Sequence, residues 1–262
     1  MRALLAGIAV VTLLFLALPV FVVLPLSFSA SPYLEFPPSG FSLQWYARYF
    51  ENPKWSGATL LSVEIALGVT ALSLLLGVPA AFSLVRADFR GKGLLLALFM
   101  SPIIVPYIVT AIAVYFLFAR LGFVGSPLAL LLAHTLLALP KVVVIVAAAL
   151  KGFDRTLERA SMSLGAGRLT TFYRVTYPSI RPGVITAALF AFLTSFDELI
   201  ITMFISGATA VTLPKRMWDA VRLEIDPTIA AASSLIIAIA VFILTATELL
   251  RQRAGRIRIP MA

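Results

Sequence analysis

Six apolar runs divide the chain, at about 3–27, 57–84, 93–119, 127–150, 183–206 and 229–250, each long enough to cross a bilayer as a helix. None alternates as a barrel strand would, and lipid offers no partner to an open backbone, so the runs predict helices. The polar segments between them differ in kind. Residues 28–56 contain "FSLQWYARYF", in which Trp45, Tyr46 and Tyr49 suit an interfacial helix at headgroup depth. Residues 207–228 contain "TLPKRMWDAVRLEIDP", a second short helix ending before Pro227.

The segment 151–181 is too polar to cross. Asp154 is a candidate N-cap, and Leu157, Ala160, Ser161 and Leu164 follow at helical spacing. Gly165 and Gly167 stop that helix and permit a sharp turn. A second short helix carries Leu169, Phe172 and Thr176 and ends at Pro178, with Pro182 opening the fifth span. A small helix of this kind docks in a partner's groove by apolar anchors and rim charges.

Composition agrees with a lipid-solvated chain: 61% hydrophobic residues, 13% charged and a mean hydropathy of +1.01. The absence of cysteine excludes disulfides and thiolate chemistry, and the single His134 excludes a histidine-rich metal site. A net charge of +9 raises nucleic acid as a partner, but its placement argues against one. With the N-terminus in the cytosol, 14 lysines and arginines fall on the cytosolic side and 6 outside, an excess that puts both termini inside. Arg2, the run 3–26 and "SFSASP" imitate a signal peptide, but the run is too long, and a retained first span is expected. One membrane domain over 1–262 follows, an all-α protein of six transmembrane helices.

Ionisable groups inside spans face protein or water because lipid exposure is costly. Along continuous helices Asp197 and Glu198 lie about 14 and 12 Å from the outer end of the fifth span, and Glu64 and His134 about 10 Å in from the ends of theirs. Three carboxylates at one level attract ammonium groups where water is scarce. Interhelical hydrogen bonding is the competing reading, and for Glu64 and His134 the stronger one. Asp197 and Glu198 point about 100° apart, so one is free to line a path while the other holds the bundle. Lys141 snorkels or pairs, and its charge argues against a role as ligand for a cation. Pro102 and Pro106 in "SPIIVPYIV" remove backbone donors from the third span, leaving either exposed carbonyls or a mechanical kink. On the outer loop Trp218, Asp219 and Glu224 sit among Lys215, Arg216 and Arg222, a mixture suited to docking a soluble protein or to plain solvation.

The segment "LERASMSLGAGRLTTFYRVTYP" resembles the signature loop of inner-membrane permeases of binding-protein-dependent ABC importers. Gly165, Val175, Tyr177 and Pro178 stand at its Gly, Ile, Leu and Pro positions. "LERAS" departs from the usual "LEEAA", with Arg159 at the signature Glu, Glu158 before it and Ala160 and Ser161 after it. "SLQWYARYF", "SPIIVPYIV", "IRPGVITAALFAFLTSFDELI" and "TLPKRMWDAVRLEIDPTIAA" resemble the spermidine/putrescine-type branch. The resemblance implies the type I importer (MetI-like) fold in a bacterial inner membrane. It makes the loop a coupling helix for a cytosolic ATPase dimer, through Leu157, Glu158, Arg159, Ala160, Leu164, Gly165, Ala166, Phe172 and Pro178. It implies a second, distinct permease and a periplasmic or extracellular substrate-binding protein as further partners; the candidates for the substrate pathway remain the ionisable residues Asp197, Glu198, Glu64 and His134.

No cofactor or metal is expected on this chain, and ATP-Mg belongs to the partner subunits. Gly91-Lys92 lacks the rest of a P-loop, and no catalytic group stands out. Import of another solute, such as an amino acid or a carried metal ion, stays open, as does the weaker case of an ion-gradient carrier.

Overall fold

The Ser126 hydroxyl accepts the Ala129 amide at 3.1 Å and Pro127 takes the first helical position, which starts the helix Pro127–Lys151. This helix is α6 in a computed structural model that describes residues 2–223 and 226–256. Before it come α1 (Arg2–Ser27), α2 (Gln44–Glu51), α3 (Pro53–Arg86), α4 (Lys92–Ile104) and α5 (Tyr107–Arg120). After it come α7 (Thr156–Ser163), α8 (Arg168–Thr171), a π-helical turn Phe172–Thr176, α9 (Tyr177–Phe196), α10 (Ile200–Ile205), α11 (Leu213–Leu223) and α12 (Thr228–Arg256). Among the described residues, β-pairing is limited to one isolated antiparallel bridge, Ser29 with Phe41. Five helical stretches are long and apolar enough to cross a membrane, and α4 with α5 makes a sixth if the bent pair is one span.

The chain divides into two compact units, Met1–Thr59 with Lys215–Phe242 and Leu60–Pro214 with Ile243–Ala262. In the first, α1 exposes the consecutive residues Leu13, Leu14, Phe15 and Leu16 and so is apolar all round, as a lipid-solvated helix is. Aromatic residues anchor α2 within this unit. Trp45 and Tyr49 are buried, because their polar atoms find protein partners. The Trp45 indole donates to the Ser29 carbonyl at 2.8 Å, and Tyr49 pairs with Thr59. The Tyr46 hydroxyl bonds Ser27 and Ser234, both at 2.8 Å. Trp55 is fully buried beneath the Arg216 guanidinium, 5.1 Å from its ring centre.

The second unit is organised around α6, which packs along α9. Glycines set the close crossings: a Cβ on Gly183 of α9 would stand 2.5 Å from the Ala149 Cβ of α6, and one on Gly77 2.7 Å from Val142. Small residues let membrane helices approach this closely.

Two expected spans are not single helices. The run 93–119 breaks between Ile104 and Tyr107, where α4 and α5 meet at 105°. Pro106 drives the break by forcing Val105 to extended backbone, φ −74° and ψ 131°. Pro102 stays inside α4, and Ser101 donates its hydroxyl to Leu98 O, the carbonyl that Pro102 leaves without a helical donor. The run 183–206 is likewise interrupted: α9 begins earlier, at Tyr177, and ends at Phe196, with α10 starting separately at Ile200. Pro178 therefore sits in the first turn of α9 and Pro182 inside it, so neither separates a short helix from a span. The π turn makes this continuity possible, since the Tyr177 amide reaches Phe172 O in the wider register just before the proline.

A candidate coupling lever and solute passage

Asp154 starts the polar segment as anticipated, its carboxylate accepting the Thr156 amide at 2.8 Å ahead of α7. The Thr156 backbone, then its hydroxyl, and then the charge of Arg159 hold this exposed carboxyl below its ordinary range. The far end of α7 closes in a Schellman motif. The Ala166 amide reaches Ser161 O at 3.2 Å and the Gly165 amide reaches Met162 O at 3.0 Å, with Gly165 at φ +88°. That conformation is open to glycine and strained for a side chain, so Gly165 sets the turn.

Glu158 fastens this small helix to two others. Its carboxylate receives both terminal nitrogens of Arg86, at the end of α3, each at 2.9 Å. The same carboxylate accepts the Thr176 hydroxyl of the π turn at 2.6 Å. Bidentate, charge-assisted pairs are the strong class of polar contact. Around them Phe172 meets Phe82 of α3 edge-on at 5.5 Å, Arg86 lies 5.7 Å from the centre of the Phe153 ring, and Ser161 bonds Thr171 at 3.1 Å. Arg159, Ala160 and Pro178 are exposed, so the polar contact runs from position 158 and not from 159. Leucines are exposed among the polar residues of this segment: Leu157 is 50% exposed, Leu169 75% and Leu164 89%. Neither Arg86 nor Thr176 is a neighbour of Glu158 along the chain. Their 72- and 18-residue separations from Glu158 leave no local signal.

Of the four ionisable residues expected on the solute path, the structure brings His134 and Glu198 together, Nε2 lying 3.6 Å from the carboxylate, and leaves Glu64 apart. Glu64 lies exposed on α3, and His134 is buried with its two ring nitrogens 3.0 Å from the hydroxyls of Ser195 and Thr202. Glu198 is also buried, its carboxylate accepting the amides of Ile201 and Thr202 at 3.0 and 3.1 Å. It therefore satisfies two of the free amides at the start of α10, after the break that follows Phe196. Asp197, one residue earlier, is exposed. It opens into a cavity of about 390 Å³ walled by Tyr107, Lys141, Thr194 and Glu198 together with Leu193, Leu199 and Ile200. Lys141, expected to snorkel or pair, pairs: it donates to Thr194 at 2.9 Å and lines the same cavity.

On α11, Asp219 pairs with Lys215 at 2.8 Å, and the Arg222 guanidinium lies 4.6 Å from the Trp218 ring centre. Glu224, the third residue expected to dock a binding protein, lies outside the described residues. Among the described residues there is no cluster of three or more metal-ligating side chains.

Residues 73–256 match the family model described as "Binding-protein-dependent transport system inner membrane component". The putrescine transport system permease protein PotI of Escherichia coli (strain K12) is 34% identical over 206 residues, covering 76% of this chain and 73% of that protein. The spermidine/putrescine transport system permease protein PotC of Haemophilus influenzae is 31% identical over 244 residues, covering 91% and 93%. A bacterial ABC transporter that imports the acidic polysaccharide alginate shares the fold, with a TM-score of 0.72 at 15% identity and 94% of each chain covered.

Proposed function

Because this chain belongs to the inner-membrane components of binding-protein-dependent transport systems, we propose that it forms half of the translocation pathway of an ATP-driven ABC importer. It is a multi-pass inner-membrane transport subunit. The solute is a polyamine or a related small cation, a reading supported by relatives named for putrescine and spermidine that cover most of the chain. Residues 1–262 act as one transport domain with both termini in the cytosol, in keeping with the charge excess on that side.

The observation that carries this reading is α7, a capped helix with leucines facing outward that is fastened by Glu158 to α3 and to the start of α9. Exposed apolar anchors on a rigid short helix fit a groove in a partner. That partner is a cytosolic ATPase dimer, which binds the ATP-Mg. When the dimer closes, α7 moves as a body, and the Glu158 contacts carry the displacement into two spans. Rigid elements with two discrete arrangements couple distant sites in this way. Leu157, Leu164 and Phe172 supply the apolar contacts, while Gly165 and Ala166 hold the angle of the turn. A second permease completes the pathway, and Asp197 faces the solute within it. A soluble substrate-binding protein delivers the solute at the α11 side, through Trp218 and Asp219.

Reconstitution tests the proposal. The chain assembled with its ATPase, second permease and binding protein should accumulate radiolabelled putrescine in liposomes only with ATP. Accumulation by this chain alone, driven by an ion gradient, would make it a carrier instead.

A further inference from the structure

Three charged side chains line the cavity at the end of α9: the carboxylates of Asp197 and Glu198, and the ammonium of Lys141. The carboxylate excess suits a cationic solute, and Lys141 is the group that opposes one. Its place is built rather than incidental. The Thr194 hydroxyl donates to Phe190 O at 2.7 Å, which turns a lone pair toward Lys141 Nζ at 2.9 Å. The ion pairs among the described residues include none between Lys141 and either carboxylate, so its charge stands beside them without direct contact. An ammonium inside a span is costly. Thr194 has no need of it, since its own hydroxyl is already bonded within α9. The charge has a use in transport. Two carboxylates acting alone would hold a solute with two ammonium groups strongly where water is scarce. A passage must bind its solute weakly enough to let it leave.

We propose that Lys141 sets the affinity of the solute passage: a fixed ammonium that weakens the hold of Asp197 and Glu198 on the cationic solute and so speeds its departure. The proposal rests on reading the cavity as the passage for a polyamine, and it adds the residue that limits how tightly the polyamine is held.

The test compares wild type with two neutral variants of different shape, Lys141→Gln, which keeps a donor for Thr194, and Lys141→Met, and with Lys141→Arg, which keeps the charge. Radiolabelled putrescine is followed in two ways. Equilibrium binding uses the assembled permease–ATPase complex without binding protein, and ATP-driven uptake uses liposomes with saturating binding protein. Each neutral variant should bind putrescine roughly fivefold tighter or more and take it up roughly threefold slower or more, because the fixed like charge is gone. Structural damage does not tighten binding. Lys141→Arg should lie nearer to wild type than to the neutral variants in both measurements. An assembled neutral variant that binds no tighter than wild type overturns the proposal, as does tighter binding with undiminished uptake, or Lys141→Arg behaving as the neutral variants do. Failure of both neutral variants to assemble where Lys141→Arg assembles assigns the ammonium to folding and overturns it too. In all these cases putrescine uptake by the wild type leaves the polyamine reading standing. Absence of that uptake removes the polyamine reading, and this proposal with it.

Discussion

Arg86 and Glu158 form a two-pronged ion pair, both contacts at 2.9 Å, that joins the end of α3 to α7. Neither side chain is more than 20% exposed, so solvent screens the pair less than an open surface bridge. Removing one partner strands the other charge, a cost of about 1–3 kcal/mol. Arg86→Glu and Glu158→Arg should each lower ATP-driven uptake more than tenfold while the spans still insert. The exchange of both should restore uptake to within about threefold, checked in the reconstituted importer beside ATPase rates. A double exchange no better than the single changes would mean that the pair does not carry the motion.

Gly165 sets the turn after α7 through its positive φ. A branched side chain there is strained by about 1–3 kcal/mol. Gly165→Val should leave total helix content unchanged by circular dichroism and cut uptake at least tenfold. Wild-type uptake would contradict the turn's role.

The crossing of α6 and α9 leaves no room at Gly183, where a Cβ would stand 2.5 Å from the Ala149 Cβ. Overpacking of such a contact costs about 1–3 kcal/mol. Gly183→Leu should lower the midpoint of thermal unfolding in detergent, and Gly183→Leu combined with Ala149→Gly should recover part of the loss.

The Asp154 carboxyl titrates below its ordinary value because it accepts the Thr156 amide. A depressed folded pKa contributes stability that is complete above the unfolded pKa and disappears as pH falls through the folded one. Hydrogen exchange at the first turn of α7 should therefore be slow at neutral pH and speed up, relative to the intrinsic rate, only below the usual carboxylate range. Asp154→Ala should show the faster exchange at every pH.

Much of the architecture was legible from local pattern. The apolar runs had the length of spans, and "ASMSLGAG" carried both the period of α7 and its glycine stop. Pro106 announced a disturbance in the third run, although not a turn of 105°. The break at Asp197 was harder to foresee, because an acidic residue in an apolar run reads as a buried polar group. Only the folded chain reveals Glu198 capping a new helix. Contacts made by packing were beyond reach altogether. Lys141 and Thr194 are 53 residues apart, and the cavity they share depends on how α6 lies along α9.

The central claim is that an ATPase grips α7 from the cytosol. The chain has no cysteine, so Leu164→Cys introduces one unique thiol on a side chain that is 89% exposed. In the assembled importer a short thiol crosslinker should join position 164 to the ATPase subunit, with a yield that changes on adding ATP. In intact cells a membrane-impermeant thiol reagent should leave it unlabelled. Labelling from outside the cell, or an assembled complex in which position 164 crosslinks to nothing, would contradict the account.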